Sequence, residues 1–380
     1  MAWDVQFRNG VWLPQTGWWL DAHHATERSF VSHAHFDHLA RHQEILCSDG
    51  TARLMRARLP SKKRREHILP FGLTEQLTPD TTVTLHPAGH IWGSSQILLA
   101  HESHGRLLYT GDFKLRPGLV AEPCATPPAD VLIMETTFGR SHYIMPPADD
   151  VRRDLLKFCH ETLADGAVPV LLAYSLGKCQ EVLAGLAGSG LSVMLHPQAE
   201  RLTRIHEDCG LTFPPHLEFS AADVAGHVVI APPQWGGSSL LKSLPRARTA
   251  MITGWALDRS TIHRHRCDAA FPLSDHADFT DLLRFVEQVN PRLVYTLHGF
   301  AEDFAQTLRE RGVEAWAIGR ANQLDLGFQS EMADTAIRPP LNTDQSESDC
   351  DTETDGRLHR APQRLHPLKR PAQQTMDRAL

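Results

Sequence analysis

The sequence has 380 residues, of which 42% are hydrophobic, so it can bury a large core and predicts two or three domains. Its net charge of −7, with 38 Lys and Arg against 45 Asp and Glu, excludes a protein that coats nucleic acid with a strongly basic surface. The seven cysteines form no Cys-x-x-Cys pair, and the sequence shows neither a secretory signal nor an 18-residue apolar stretch. These features predict a cytoplasmic protein with no disulfide framework, Cys-based zinc ribbon or membrane span.

The pattern of predicted elements changes twice along the chain. Residues 1 to about 143 predict short strands separated by turns, with one helix over residues 51–59. From about residue 150 helical and strand-like segments alternate, which predicts parallel strands joined by crossover helices. A helix with Asp278 as its N-cap then leads into the strand "RLVYTLHGF". Residues 331–380 lose all periodicity and predict a disordered, charged tail.

The segment "SHAHFDH" (residues 32–38) concentrates potential metal ligands just after a predicted strand. Alternate residues of an extended segment point the same way, so His33 and His35 can bind one ion while Asp37 and His38 turn toward a second position. Imidazole and carboxylate together suit Zn²⁺, and less exclusively Mn²⁺ or Fe²⁺. A histidine-rich surface loop is the alternative, which we disfavour because clustered His and Asp are costly to hold together without a metal.

Three further candidate ligands also stand at strand ends beside glycine. His90 lies in the Gly-rich turn "HPAGHIWGSSQ", Asp112 follows a strand and a glycine in "LLYTGDFK", and His298 ends the strand "LVYTLHGF". Each one alone is typical of an ordinary turn residue. Their joint occurrence with the first segment predicts a metal site built from several strand ends.

These motifs, in this order, resemble the metallo-β-lactamase fold. That resemblance implies an αββα sandwich with two divalent metal ions at one edge, zinc or alternatively manganese. It also implies the ligand assignment: His33, His35 and His90 for one ion, Asp37, His38 and His298 for the other, and Asp112 as the bridge.

The segments "METTFG" and "LSDHADF", with the α/β insertion between them, resemble the β-CASP nucleases. The resemblance implies a metallo-β-lactamase domain in two parts, residues 1–143 and 272–330, with a β-CASP α/β domain inserted at 144–271. The inserted domain is expected to hold a parallel sheet flanked by helices. Catalytic roles are implied for Asp37, Glu135 and His276, with Glu135 supporting His276.

Nearly the whole ordered chain is similar to the bacterial ligase-associated DNA exonucleases, through motifs that include "TGDFKLRPG", "AYSLGKCQE" and "TGWALDR". This implies a DNA exonuclease that acts in DNA repair beside an ATP-dependent DNA ligase. The implied partners are nucleic acid, with DNA favoured over RNA, and an ATP-dependent DNA ligase. No membrane contact is implied. An RNase J-type ribonuclease, a small-ester metallohydrolase and an inactive scaffold stay open as alternatives.

Two predicted strand–helix turns offer backbone N–H groups to a substrate phosphate, although both could be ordinary βα turns. The candidate phosphate-binding residues are Ser175, Gly177, Lys178, Gly237, Ser238 and Ser239. The basic segment at residues 53–65 is either a solvated helix face or a surface that steers nucleic acid.

Overall fold

The computed structural model describes residues 2–244, 246–258 and 260–319, so the predicted tail at 331–380 lies outside the described residues. The helix predicted at 51–59 is α1, which begins two residues earlier because the Ser48 side chain caps it by accepting from the Thr51 N–H. In chain order the first elements are β1 (Gln6–Phe7), β2 (Val11–Leu13), β3 (Trp18–Leu20), β4 (Arg28–Phe30), β5 (Glu44–Cys47), α1 (Asp49–Arg58), β6 (Arg65–Ile68), β7 (Thr74–Thr78), β8 (Thr81–Pro87), β9 (Ser95–His101), β10 (Gly105–Tyr109) and β11 (Val131–Glu135).

Helices and strands alternate through the middle of the chain, and two αβ pairs close it. The Asp278 side chain accepts from the Asp281 N–H, which confirms the predicted N-cap of α7. The elements are α2 (Ala148–Ala164), β12 (Val168–Leu172), α3 (Lys178–Gly185), β13 (Ser192–Leu195), α4 (Pro197–Asp208), β14 (His216–Glu218), β15 (His227–Ala231), α5 (Ser239–Ser243), β16 (Ala247–Ile252), α6 (Ser260–His265), β17 (Ala269–Phe271), α7 (Phe279–Val289), β18 (Leu293–Leu297), α8 (Ala301–Glu310) and β19 (Glu314–Ala317).

Two mixed sheets pack face to face around one apolar core. The first sheet has the strand order β1-β2-β3-β4-β5-β6, and the second has the order β19-β18-β11-β10-β9-β8-β7. Alternate residues of β2 and β3 point inward and meet residues of β8 to β11, so Leu13, Leu20, Leu85, Leu99 and Ile133 share one buried cluster.

Helices cover the outer face of each sheet and complete the four layers. On the first sheet, Ile45 packs against Met55 of α1. On the second, Leu132 packs with Phe285 of α7 and Phe304 of α8. None of the helices within the described ranges has the length and apolarity that crossing a bilayer requires.

The third sheet is built entirely from residues 168–271. Its strand order is β14-β13-β15-β12-β16-β17, and every pair is parallel, which confirms the arrangement predicted from the alternating pattern. Its central strands β12 and β15 read as nearly continuous apolar runs because both faces are covered, one by α2 and α3 and the other by Trp235 and Leu241 of the segment before β16. The loops that follow β12 and β16 lie at the carboxyl edge of this sheet, where α/β folds bind ligands.

The core behind the site predicts a large cost for one truncation. Phe285 is fully buried, and its ring centroid lies 4.4 Å from that of Phe113, the residue after Asp112. We expect Phe285→Ala to lower the free energy of unfolding by about 3–5 kcal/mol, since it removes buried area and leaves a cavity. Denaturant titration measures this, with Leu73→Ala at a half-exposed position as the control expected to change it by less than about 0.5 kcal/mol. An equal effect of the two substitutions would contradict this account of the core.

Candidate metal centre and active site

The residues predicted to form the site lie around a cavity of about 180 Å³. Its wall includes His35, Asp37, His38, Asp112, His276 and His298. Lys178 and Trp255 from the segment that carries the third sheet line the same cavity. The loops of the sandwich and the carboxyl edge of the third sheet therefore enclose one common space.

Four side chains converge at one edge of the sandwich. His35 Nδ1 lies 3.0 Å from His33 Nε2 and 3.1 Å from His90 Nε2. Asp112 Oδ2 lies 3.5 Å from His33 Nε2 and 3.8 Å from His90 Nε2. The ligand atoms of these four residues all lie within 4.8 Å of one another.

The hydrogen bonds on the far side of each ring decide which nitrogens carry protons. His35 Nε2 faces the Leu176 carbonyl at 3.2 Å, and His90 Nδ1 faces the Asp275 carbonyl at 2.8 Å. A carbonyl only accepts, so both of these nitrogens donate. The Ser32 hydroxyl donates to Asp21 Oδ2, so its oxygen accepts from His33 Nδ1 at 3.0 Å.

Each of the three rings therefore turns a lone pair toward the other two. Lone pairs 3.0–3.1 Å apart, beside a carboxylate oxygen, repel one another unless a cation lies between them. Three neutral imidazoles and one carboxylate are a donor set that zinc accepts. The arrangement of this chain's own atoms thus fits a divalent metal ion.

The pKa shifts agree with that protonation pattern. Burial lowers the pKa of His33 well below its usual range, lowers the pKa of His35 to about 4 and also lowers the pKa of His90. Burial would raise the pKa of Asp112, but the charge and hydrogen bond of His38, together with the charges of His276 and His33, outweigh it and hold that pKa well below its usual range. The histidines are therefore neutral and Asp112 is ionised, the forms that bind metal.

The second predicted ligand set, Asp37, His38 and His298, is more widely spaced than the first. His38 Nε2 lies 3.4 Å from Asp112 Oδ2 and 3.8 Å from Asp37 Oδ2, and the His298 ring centroid lies 5.9 Å from that of His38. Among the described residues, this set does not form a group with all ligand atoms within 4.8 Å, as the first set does. Asp112 faces both sets, as a bridging residue would.

His298 adopts a left-handed backbone conformation, with φ of +58°, that few non-glycine residues accept. The Thr136 hydroxyl donates to the His298 carbonyl at 2.8 Å and holds this turn at the end of β18. Strained conformations of this kind cluster at functional sites, where the surroundings over-determine them. The turn is what brings the His298 side chain to the cavity wall.

Glu135 and His276 form a buried pair next to the candidate metal ligands. Glu135 Oε1 lies 2.9 Å from His276 Nδ1, and the His276 ring centroid lies 4.7 Å from that of His90. Burial would lower the pKa of His276, but the carboxylates, led by Glu135, outweigh it and raise the pKa to about 10. The Glu135 carboxylate therefore favours the protonated form of His276, with Nε2 on the side away from Glu135.

Asp21, which the sequence motifs did not identify, supports His38 from behind. Its carboxylate accepts from His38 Nδ1 at 2.9 Å, from the Tyr109 hydroxyl at 2.8 Å and from both the N–H and the hydroxyl of Ser32. A carboxylate behind a ligand histidine fixes the ring and raises its basicity. A single Asp outside any motif carries no sequence signal for this role, because its partners lie 11 to 88 residues away along the chain.

The sequence analysis also assigned no role to Asp275. This residue pairs with Lys178, one of the residues predicted to bind a substrate phosphate. Lys178 Nζ lies 2.9 Å from Asp275 Oδ1 and donates to the Leu273 carbonyl at 2.7 Å. The Gly177 N–H, expected to be open to a phosphate, donates to Gln180 Oε1 at 2.7 Å. Lys178 therefore anchors the loop whose Asp275 carbonyl orients His90.

The other predicted phosphate-binding residues stand away from the cavity wall. The buried Ser175 hydroxyl is 3.5 Å from Gln198 Oε1, and Ser238 caps α5 by accepting from the Leu241 N–H. Gly237 and Ser239 are exposed. Of the six candidates, only Lys178 is among the described residues that line the cavity.

The Asp21 contacts predict a metal-binding defect without loss of a ligand. Asn at this position presents an N–H₂ group to a site where four donors converge, so we expect Asp21→Asn to weaken metal affinity about 10- to 100-fold. Competition with a chromophoric chelator measures the affinity. Asp80→Asn is the matched control, because it alters another carboxylate–histidine contact, 3.1 Å to His101, outside the site. Equal affinities in Asp21→Asn and wild type would contradict this role.

Comparisons with known proteins cover different shares of the chain. A protein named "Probable DNA ligase" from Opitutus terrae is 66% identical over 330 residues, which are 87% of this chain and 32% of that protein. "Transcription termination factor FttA" from Thermococcus kodakarensis is 32% identical over 148 residues, 36% of this chain and 23% of that protein. "RNase J-like protein" from Methanocaldococcus jannaschii is 29% identical over 181 residues, 42% of this chain and 43% of that protein. The chain thus spans less than half the length of each of these curated relatives.

The layered sandwich, with histidines and carboxylates clustered at its edge, defines a metallohydrolase of the metallo-β-lactamase fold. Residues 266–318 match the family described as "Zn-dependent metallo-hydrolase RNA specificity domain". Together with the FttA and RNase J-like matches, this places the chain more narrowly: it belongs to the metallo-β-lactamase/β-CASP nuclease family, and the predicted fold class is confirmed.

Proposed function

We propose that this chain is a metal-dependent phosphodiesterase that cleaves nucleic acid, and more narrowly a DNA exonuclease that acts in repair beside an ATP-dependent DNA ligase. The observation that carries the proposal is the convergence of three imidazole lone pairs on Asp112, beside the Glu135–His276 pair, with His35, Asp112 and His276 lining one cavity. The proposal divides the chain as 1–143 and 272–330 for the metallo-β-lactamase domain and 144–271 for the β-CASP domain.

In the proposed site, one divalent ion is held by His33, His35 and His90. The other is held by Asp37, His38 and His298, and Asp112 bridges the two. Zinc suits the imidazole-rich set, and manganese suits the more carboxylate-rich set as well. When bound, such ions supply Lewis acidity toward a phosphate and lower the pKa of a water.

The protein's own groups supply the proton. The Glu135 carboxylate raises the pKa of His276 and holds its Nδ1 side, so its Nε2–H can donate to the oxygen that leaves phosphorus. Glu135 is a positioning residue, because its carboxylate contacts His276 Nδ1 and fixes the orientation of the ring. Asp37 stands half-exposed at the cavity, and we propose that it contributes as both ligand and catalytic carboxylate.

The choice between DNA and RNA rests on the relatives. The O. terrae protein, at 66% identity, is named a probable DNA ligase, which supports DNA and a ligase in the same process. FttA, the RNase J-like protein and the RNA specificity domain favour a second candidate function, an RNA-processing nuclease. Action in the cytoplasm is part of the proposal.

The experiment compares polymers directly. Purified protein is incubated with Mn²⁺ or Zn²⁺ and end-labelled single- and double-stranded DNA and matching RNA, with Asp112→Ala as the inactive control. The expected result is a ladder from one DNA end that the control does not produce. Cleavage of RNA alone would replace the DNA assignment with the second candidate. Cleavage of no polymer would overturn the nuclease proposal and leave a small-ester hydrolase or an inactive scaffold.

A further inference from the structure

Trp255 presents a half-buried indole ring to the cavity that the candidate metal ligands line. It stands in a one-turn 3-10 helix (Gly254–Leu257) directly after β16, at the carboxyl edge of the third sheet. Its side chain therefore reaches the site from the segment that carries none of the candidate metal ligands. Neither the metal assignment nor the Glu135–His276 pair gives this residue a role.

The backbone of Trp255 is fixed on both sides. Its N–H donates to the Thr253 hydroxyl at 3.3 Å, and its carbonyl accepts from the Thr261 hydroxyl at 2.7 Å. Gly254 packs so closely that a Cβ there would lie 2.6 Å from Phe138 Cζ and 3.1 Å from Ser274 Cβ. The backbone that carries the indole is consequently held in place before any ligand arrives, which reduces the entropy lost on binding.

Other aromatic rings support the indole. Phe138 lies 4.7 Å from Trp255 between ring centroids, and Tyr143 meets it edge-on at 5.6 Å. Phe138 in turn lies 6.3 Å from the His276 ring, so one buried phenyl ring separates Trp255 from the proposed proton donor. The aromatic stack thus extends from the catalytic pair to the cavity surface.

The phenyl rings at the cavity are less available than the Trp255 indole for stacking on a ligand. Phe138 is fully buried, and the Arg58 guanidinium covers Phe36 at 4.1 Å from its centroid. The indole N–H of Trp255 donates to no group in the described part of the chain. A planar ring with little polar character favours a ligand that is itself planar and apolar on its faces.

We propose that Trp255 stacks on a nucleobase of the substrate next to the phosphate held at the candidate metal centre. The inference rests on the proposed function and adds a base-binding subsite to it. Stacking on an aromatic side chain tolerates every base, because all bases have a π-face. The subsite therefore distinguishes a base-bearing strand from a bare sugar–phosphate strand without reading sequence.

The test compares an oligonucleotide that the wild type cleaves with its abasic counterpart. This comparison does not depend on the end from which the strand is cleaved. Wild type is expected to show a KM about 5- to 150-fold higher for the abasic strand, the range for loss of one stacked base. In Trp255→Ala this ratio is expected to fall to about one, while Trp255→Phe keeps most of it. Trp316→Ala, at an exposed ring of β19 outside the cavity, is the matched control and keeps the wild-type ratio.

Two results would overturn the subsite while leaving the nuclease proposal intact. One is an equal KM of the wild type for both strands. This measurement uses only the wild-type protein, so it does not depend on whether a variant folds. The other is a Trp255→Ala protein that retains the wild-type ratio. A wild type that cleaves no polymer would instead overturn the proposed function, and this inference with it.

Discussion

Asp112→Ala is expected to lower the turnover of nucleic acid by about 10⁴-fold or more and to release bound metal. Asp112 Oδ2 lies 3.4–3.8 Å from the ligand nitrogens of His33, His38 and His90, so its loss removes the anion shared by both proposed metal positions. Metal ions contribute several kcal/mol of transition-state stabilisation, and roughly 1.4 kcal/mol corresponds to a factor of ten in rate. Initial rates and metal content by elemental analysis measure the two effects.

A matched control separates loss of the site from loss of the fold. Asp80→Ala removes an exposed carboxylate that also contacts a histidine, and it is expected to leave both turnover and metal content unchanged. Thermal unfolding of both variants shows whether the fold persists. An Asp112→Ala protein with wild-type metal content would refute the bridging assignment, and one with wild-type turnover would refute its role in the reaction.

His276→Ala is expected to lose about 10²- to 10⁴-fold in turnover, the usual contribution of a general acid, while it keeps its bound metal. The ring touches Glu135 at 2.9 Å, and it is not a member of the four-residue cluster of His33, His35, His90 and Asp112. His67→Ala is the matched control, because His67 forms a surface pair of the same kind with Glu75 at 2.8 Å. Steady-state rates and metal content are measured on the same preparations.

A second possibility for His276 is decided by the same experiment. Nitrogen and oxygen atoms of Asp112, Glu135 and His276 also lie within 4.8 Å of one another, which is close enough for a metal ion. Loss of metal in His276→Ala would make His276 a ligand rather than a proton donor. Full turnover in the variant would remove it from the reaction altogether.

Glu135→Gln provides the pH signature of the pair. The Glu135 carboxylate is the largest influence that raises the pKa of His276, so the amide is expected to lower that pKa. A general acid must be protonated, so the rate falls as pH rises through its pKa. The alkaline limb of the pH–rate profile should therefore move to lower pH in Glu135→Gln, and an unmoved limb would argue against His276 as the acid.

Local patterns predicted much of the fold because they reflect short-range geometry. The N-cap at Asp278, the helix near residues 51–59 and the all-parallel third sheet depend on side-chain periodicity and on groups a few residues apart. The candidate ligands could be named for a related reason. Strand ends at the same sheet edge meet in space, so histidines and carboxylates placed after strands are brought together by the sheet itself.

The phosphate-binding loops show where local patterns were insufficient. A strand–helix turn with glycine and lysine is typical of phosphate sites, yet the Gly177 N–H donates to Gln180 and Lys178 pairs with Asp275. Sequence spacing indicates which groups a turn can offer, but not which partners reach them first. The competing partner Asp275 lies in a loop almost one hundred residues away along the chain.

The sequence by itself therefore determined which helices and strands form. It also determined the kind of chemistry, because it places imidazoles and carboxylates where strands end. Only the tertiary structure decided how those groups are held. His35 is oriented by the Leu176 carbonyl, His90 by the Asp275 carbonyl, His38 by Asp21, and Trp255 reaches the same cavity from another sheet. Each of these contacts joins distant parts of the chain or residues outside any motif. Their formation depends on how sheets and loops pack together, a non-local property that periodicity does not encode.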